Sequence, residues 1–404
     1  MDLTNKLSFK GGFADITPVQ PMPLAGYASR QGDFTRVDGG LEANIIVVSD
    51  GSHRSIIVSA DLLYIGRELR DSILSSLDAS INRSELFIAA SHTHFAPATD
   101  STKPMLGKMN PDYVRFAGGR IAEAINKLVS DGTEEVDACY VRTSAPDISV
   151  NRRKHGRVSL LPPKVDILPN VDGFKDPSIH LIKFVAADKR TVGMLWSYGC
   201  HPVGFHEANS VSPDFPGDVR GAVRKQFGAS IPVIFLQGVS GDVRPYLGQK
   251  IDGKPRFTKF SEAQWGQWVG SLEGSVMNAI GTKCDKALSP AVKNSEASIP
   301  LRDIGLSGVD EPVIFHAVDI GNVKIIGVTA ELVAEYATLF SKHFPNSSVI
   351  PVGCLGHTYG YLPTGSMLRE DEYEVTGFQK YFGLEGRFAP DLDEKVKKLL
   401  ESLG

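Results

Sequence analysis

The stretch ANIIVVSDGSHRSIIVSA (residues 43–60) holds two β-branched runs, 43–49 and 54–60, parted only by the turn-forming residues DGSH. So short a link cannot carry the chain back to begin a parallel strand, so the two runs must pair as an antiparallel hairpin. The runs PVIFHAVD (312–319) and VKIIGVT (323–329) are parted by only three residues and must pair in the same way. Working outward, ELFIAA (85–90), IHLIKFVA (179–186), GMLWSYG (193–199) and PVIFLQG (232–238) are further strand candidates. Between them, apolar residues recur every three or four positions over 66–78, 112–130, 217–227, 261–281, 331–343 and 391–403, the period of a helix with one buried face. Strands interleaved with helices, some of them forced into hairpins, make this an α/β chain with layered, mixed sheets rather than a purely parallel one.

Composition limits what such a chain can do. Of 404 residues, 42% are hydrophobic and 22% charged, so the chain can bury a sizeable core and lacks the signature of disorder. No composition shift or repeat marks a boundary, and one continuous domain over 1–404 is expected. Lys and Arg number 43 against 47 Asp and Glu, a net charge of −4, which leaves no broad basic face for nucleic acid. No apolar run reaches the 18 residues of a membrane span, and the start MDLTNKLSFKGG has no signal-peptide core. Cys139, Cys200, Cys284 and Cys354 are widely spaced without a CxxC pair, so they read as small buried hydrophobes and the expected compartment is the cytoplasm. The segments 145–178 and 245–260, rich in Pro, Gly, Asp and Lys, are expected to loop over a site.

Polar groups suited to chemistry gather where strands end. ELFIAASHTHFAP (85–97) runs from an apolar strand into His92 and His94, which extended alternation would send to the same side. On spacing alone, metal ligation and a hydrogen-bonding role are both open. GMLWSYGCHPVGFHEANSVSPDFPGD (193–218) likewise leads from a strand into His201 and, later, Asp214. Glu331 stands between the strand VKIIGVT and the pattern ELVAEYA, where a carboxylate at a helix N-terminus is favoured by the helix dipole. GHTYGYLPT (356–364) adds Tyr359 and Tyr361 beside His357. Imidazoles with one carboxylate suit zinc, although no HExxH fixes the ligands.

Taken together, GGFADITPVQPMPLAGYASR (11–30), SHTHFAP (91–97), VNRR (150–153), GCHPV (199–203), SPDFPGD (212–218), GDVRP (241–245), TAE (329–331) and YGYLPT with EYE (359–374) resemble the catalytic domain of the neutral/alkaline non-lysosomal ceramidase family. The resemblance implies that fold, without the family's C-terminal immunoglobulin-like domain. It implies a Zn2+ held by His92, His201, Glu331 and Tyr361, substrate-side contacts from His94 and Arg152, and an oxyanion-stabilising Tyr373. One position departs: where the family carries a serine before the proline of GDVRP, this chain has Arg244, which stays protonated and cannot be nucleophile or base.

The expected activity is therefore zinc-dependent hydrolysis of an amide, ester or lactone carbonyl in a small polar or anionic substrate, with zinc-activated water as nucleophile. Arg244 would face the cleft as a fixed cation, with Asp242 and Asp214 as candidate bases or orienting groups. Two other functions compete: a carbohydrate-acting metal-dependent hydrolase or lyase, and an inactive ligand-binding homologue.

Overall fold

The computed structural model describes residues 6–155, 165–282, 287–370 and 372–404. Two sheets lie face to face. The larger has eight strands in the order Val233–Gln237, Thr191–Tyr198, Ser178–Ala186, Glu134–Ser144, Leu7–Asp15, Glu42–Ser49, Arg54–Ala60 and Leu86–Ala90. Its outermost pairs are parallel and its inner pairs antiparallel. The smaller sheet runs Val292–Pro300, Pro312–Ile320, Val323–Val328, Ser348–Val352, and its last pair is parallel. Both expected hairpins are present in register.

Strand alternation explains why these runs read as continuously apolar. Ile46, Val48, Ile57 and Phe87 point into the layer between the sheets, against Val318, Ile325 and Ile350. Their neighbours Ile45, Val47, Ile56 and Val58 point outward against Ile121 and Ile125 of helix Pro111–Ser130. Farther along the same outer face, Trp196 and Phe235 meet Phe215 and Trp268 of helices Phe215–Phe227 and Glu262–Gly281. Helices Tyr336–His343 and Leu392–Glu401 pack on the smaller sheet, giving helix, sheet, sheet, helix. Each fully buried Ile, Leu, Val or Phe contributes ~1.5–3 kcal/mol against exposure, so a strand covered on both faces is worth more than an amphipathic one.

Three expectations are corrected. The helix foreseen over 331–343 begins only at Tyr336; Glu331–Leu332 instead pairs in parallel with Tyr361–Leu362. The Glu331 amide is drawn to the Gly360 carbonyl at 2.7 Å, so tertiary pairing overrides the helical pattern. The segment 145–178 is not wholly irregular, since Ser149–His155 pairs with Val165–Asn170 and with Val243–Pro245; residues 156–164 lie outside the described part. Finally, Cys139 is disulfide-bonded rather than a buried free thiol, while Cys200 and Cys354 are free and buried as expected. Cys284 lies outside the described residues. The chain leaving helix Glu262–Gly281 returns alongside Cys139's strand, with the Leu288 amide on the Ala138 carbonyl, an approach invisible in sequence spacing. Among the described residues no helix is long and apolar enough to cross a membrane.

Candidate metal centre

His92, His94 and His201 converge at the ends of the larger sheet's strands, their ligand atoms all within 4.8 Å of one another. The route differs from simple alternation. The strand stops at Ala90, and the chain turns through a left-handed conformation at His92, with φ of 69°. A bulky residue in that region is strained and persists only where its surroundings hold it. Here the Ser91 and His92 amides are fixed by the carbonyls of Ala60 and Leu62, at 2.8 and 2.9 Å. The His92 and His94 rings come to 5.0 Å, and those of His92 and His201 to 4.9 Å.

Each imidazole has its Nδ1 against a backbone carbonyl: His92 against Leu63 at 3.1 Å, His94 against Gly26 at 3.1 Å, His201 against Ser240 at 2.6 Å. A carbonyl only accepts, so Nδ1 carries a proton and donates it, which turns every Nε2 toward the shared centre, with a lone pair there whenever the ring is neutral. Gly26 is required for this, since at φ 103° a Cβ would stand 2.5 Å from the His94 Nδ1. Two of the Nε2 atoms meet a carboxylate: Glu331 Oε2 is 3.3 Å from His92 Nε2 and 3.1 Å from His201 Nε2. His92 Nε2, His94 Nε2 and Glu331 Oε2 are buried with no hydrogen-bond partner. Facing acceptors repel unless a proton or a metal cation lies between them. Ligands around a tetrahedral zinc with bonds of ~2.0–2.1 Å are spaced by roughly 3.3 Å, which these separations match. The residues thus fit a metal ion.

Their protonation differs. Burial opposes a charge on His92, but Cys354 and Glu331 outweigh it and hold its pKa well above the usual histidine range, so without an ion His92 holds a second proton toward Glu331, in the place a bound cation would take. Burial, with His92 and His201 nearby, holds the His94 pKa well below the usual histidine range, and burial pushes His201 down to about 4, so both are neutral ligands at pH 7. Burial opposes ionisation of Glu331, but His92 and His201 outweigh it and hold its pKa well below the usual carboxylate value. Tyr64, which sequence reasoning missed, donates its hydroxyl to Glu331 Oε1 at 2.6 Å.

Around this core stand the other predicted residues. Arg152 donates Nε to Glu374 at 2.7 Å and lies 5.5 and 5.4 Å from the ring centres of Tyr361 and Tyr373. Tyr361 is buried and is the strand partner of Glu331; burial first, then the Glu331 charge, holds its pKa well above the usual tyrosine value. Burial keeps Tyr373's proton on, against the pull of Arg152, so its hydroxyl remains a donor. Asp242 receives Asn151 Nδ2 and the Ala334 amide, each at 2.8 Å, while its carbonyl takes the Arg152 amide at 2.7 Å. That one residue ties together the segments bearing Arg152 and Glu331, and burial raises its pKa to about 6. Asp214 caps helix Phe215–Phe227 and accepts the Phe205 and Phe215 amides; burial raises its pKa to about 7. Arg244 faces a cavity of about 650 Å³ with Tyr27, Arg30, Phe95, Phe205 and Phe257. The Tyr27 ring, 5.1 Å from that of His94, joins this cavity to the imidazoles.

A family model described as neutral/alkaline non-lysosomal ceramidase, N-terminal, matches residues 10–306. The chain belongs to this family. Its fold is that of the solved ceramidases: neutral ceramidase from Pseudomonas aeruginosa superposes with a TM-score of 0.79 at 15% identity, covering 98% of this chain and 74% of that one. A ceramidase complexed with C2 gives 0.77 at 14% identity, with the same coverages. The ceramidase family match contains His92, His94, Arg152, His201 and Arg244, whereas Glu331, Tyr361 and Tyr373 lie beyond residue 306.

Proposed function

We propose that this member of the ceramidase family is a zinc-dependent hydrolase cleaving an amide, ester or lactone carbonyl in a small polar molecule rather than ceramide. The observation that carries the reading is the convergence of three histidines, two of them with Nε2 within 3.3 Å of the buried Glu331 carboxylate, beside an open cavity. His92, His201 and Glu331 would hold the ion, with His94 close enough to join them and Tyr361 as the further oxygen donor. When bound, zinc supplies Lewis acidity and lowers the pKa of water toward neutrality.

The chain's own groups then have separable tasks. Tyr373 donates its hydroxyl to the oxygen that gains charge as the carbonyl is attacked. Arg152 orients Tyr361 and Tyr373 and keeps a positive field beside them. Asp242 and Asp214 act as positioning residues, since their oxygens are engaged by N–H donors. Arg244 replaces the family's serine and holds the substrate without taking a proton. The Cys139 disulfide favours an oxidising compartment over the expected cytoplasm.

The test is elemental analysis of protein purified without added metal, followed by His92→Ala and Glu331→Ala. About one zinc per chain is expected, lost together with turnover of a panel of N-acyl compounds, esters and lactones in both variants. Full activity in both variants would refute the proposal.

A further inference from the structure

Beside the metal centre, the 650 Å³ cavity is of small-molecule size and is walled by aromatic rings. Two guanidinium groups line it. The Arg244 Cζ lies 4.7 Å from the centre of the Phe257 ring, and the Arg30 Cζ lies 4.8 and 5.5 Å from the Tyr27 and Phe95 rings. Among the described residues, neither arginine has a carboxylate partner. Arg30 donates Nη1 to the Ala25 carbonyl at 2.7 Å, while its Nη2 is buried without a partner. Elsewhere the buried arginines are paired: Arg152 with Glu374, Arg153 with Glu370 and Glu372, Arg220 with Asp61. Arg30 and Arg244, half-buried in the cavity wall, have no such partner among the described residues. Desolvating a cation without a counter-charge is costly, and burial accordingly drives the Arg30 pKa down to about 10 and that of Arg244 below its usual value. The missing counter-charge has a natural source in a ligand.

We propose that Arg30 and Arg244 form the recognition site for an anionic group on the substrate, whose flat apolar body lies among the Tyr27, Phe95, Phe205 and Phe257 rings. The inference rests on the hydrolase reading and names its substrate class: an amide or ester bearing a carboxylate or similar oxyanion on its apolar half. Guanidinium donors suit such oxygens, and the aromatic faces hold the guanidinium planes in place. Arg244 also lies within electrostatic reach of Arg152 and Tyr361, so an anion held there leaves the rest of the molecule near the metal centre.

Binding is tested on the full chain as purified, by calorimetry with 2-phenylethanesulfonate and its neutral counterpart methyl 2-phenylethyl sulfone. Neither is hydrolysable, and a sulfonate is a poor zinc ligand. The sulfonate should bind at least tenfold more tightly, and Arg244→Met and Arg30→Met should each remove most of that preference. Equal binding of the two probes to the parent protein, or a preference untouched by both substitutions, would overturn the site. Turnover is scored separately on N-benzoylglycine and N-benzoylglycinamide. Anion preference without turnover of any panel compound would sink only the hydrolase reading, and turnover with equal kcat/KM for the two would sink only the anion site.

Discussion

Replacing Tyr64 by Phe removes one oxygen from the wall of the metal centre and leaves the ring packing intact. The ring keeps its place 5.3 Å from His92 and 5.8 Å from Phe382. What is lost is the 2.6 Å hydrogen bond to Glu331 Oε1, a bond to an ionised and wholly buried acceptor. Hydrogen bonds to charged groups contribute ~1.5–3 kcal/mol, so the metal-free variant should unfold at a free energy lower by about 2 kcal/mol. With that donor gone, nothing fixes the carboxylate's orientation toward His92 and His201. Groups that orient a ligand in this way typically govern metal affinity by about 10–100-fold. Stability is read from urea denaturation with and without chelator, and affinity from competition with a chromophoric chelator. The reasoning fails if the variant matches the parent in unfolding free energy and binds zinc within threefold of it.

Other expectations follow from single features. Gly26→Ala places a Cβ 2.5 Å from the His94 Nδ1, so it should displace that ring and lower turnover by at least tenfold while the far-ultraviolet dichroism stays unchanged. Asp214 carries a folded-state pKa of about 7 against an ordinary 3.8, so the folded chain holds this proton more tightly. Its contribution is intact below pH 4 and is lost as pH rises toward 7, by ~4 kcal/mol at ~1.4 kcal/mol per pKa unit. Asp214→Asn should flatten that part of the stability–pH curve, as measured by denaturation at a series of pH values. Cys139→Ser, or reduction, should lower stability by ~2–5 kcal/mol; an unaltered melting temperature would show that the disulfide does not matter to the fold.

The strands were legible because they are buried on both faces: runs such as IIVVS and SIIVSA alternate between two cores and carry no charge. Helix boundaries were less so. ELVAEYA has helical spacing, yet pairing with Tyr361–Leu362 claims Glu331 for a strand, and nothing local records that partner. The meeting of His92 and His94 was legible in outcome only, since it comes from the left-handed turn at His92. Tyr64 was hidden because LLYI looks like any apolar segment, and its hydroxyl finds Glu331 only after the chain has folded. Arg244 stood out as a departure from a family pattern, whereas Arg30, the last residue of the 11–30 motif, carried no signal of its own, since its buried unpartnered Nη2 shows only in the fold.

His92 and His201 hang from the eight-stranded layer, while Glu331 follows the third strand of the four-stranded one. A cation gripped by all three would rivet the two layers along one rim. Loading the ion and clamping the sandwich are then a single thermodynamic event, each tenfold excess of free ion over Kd adding ~1.4 kcal/mol to the clamped form. In zinc-poor surroundings the chain's backbone amides near 329–332 and 359–362 would thus exchange with solvent ahead of the rest, open to proteases at the seam where its chemistry would otherwise occur.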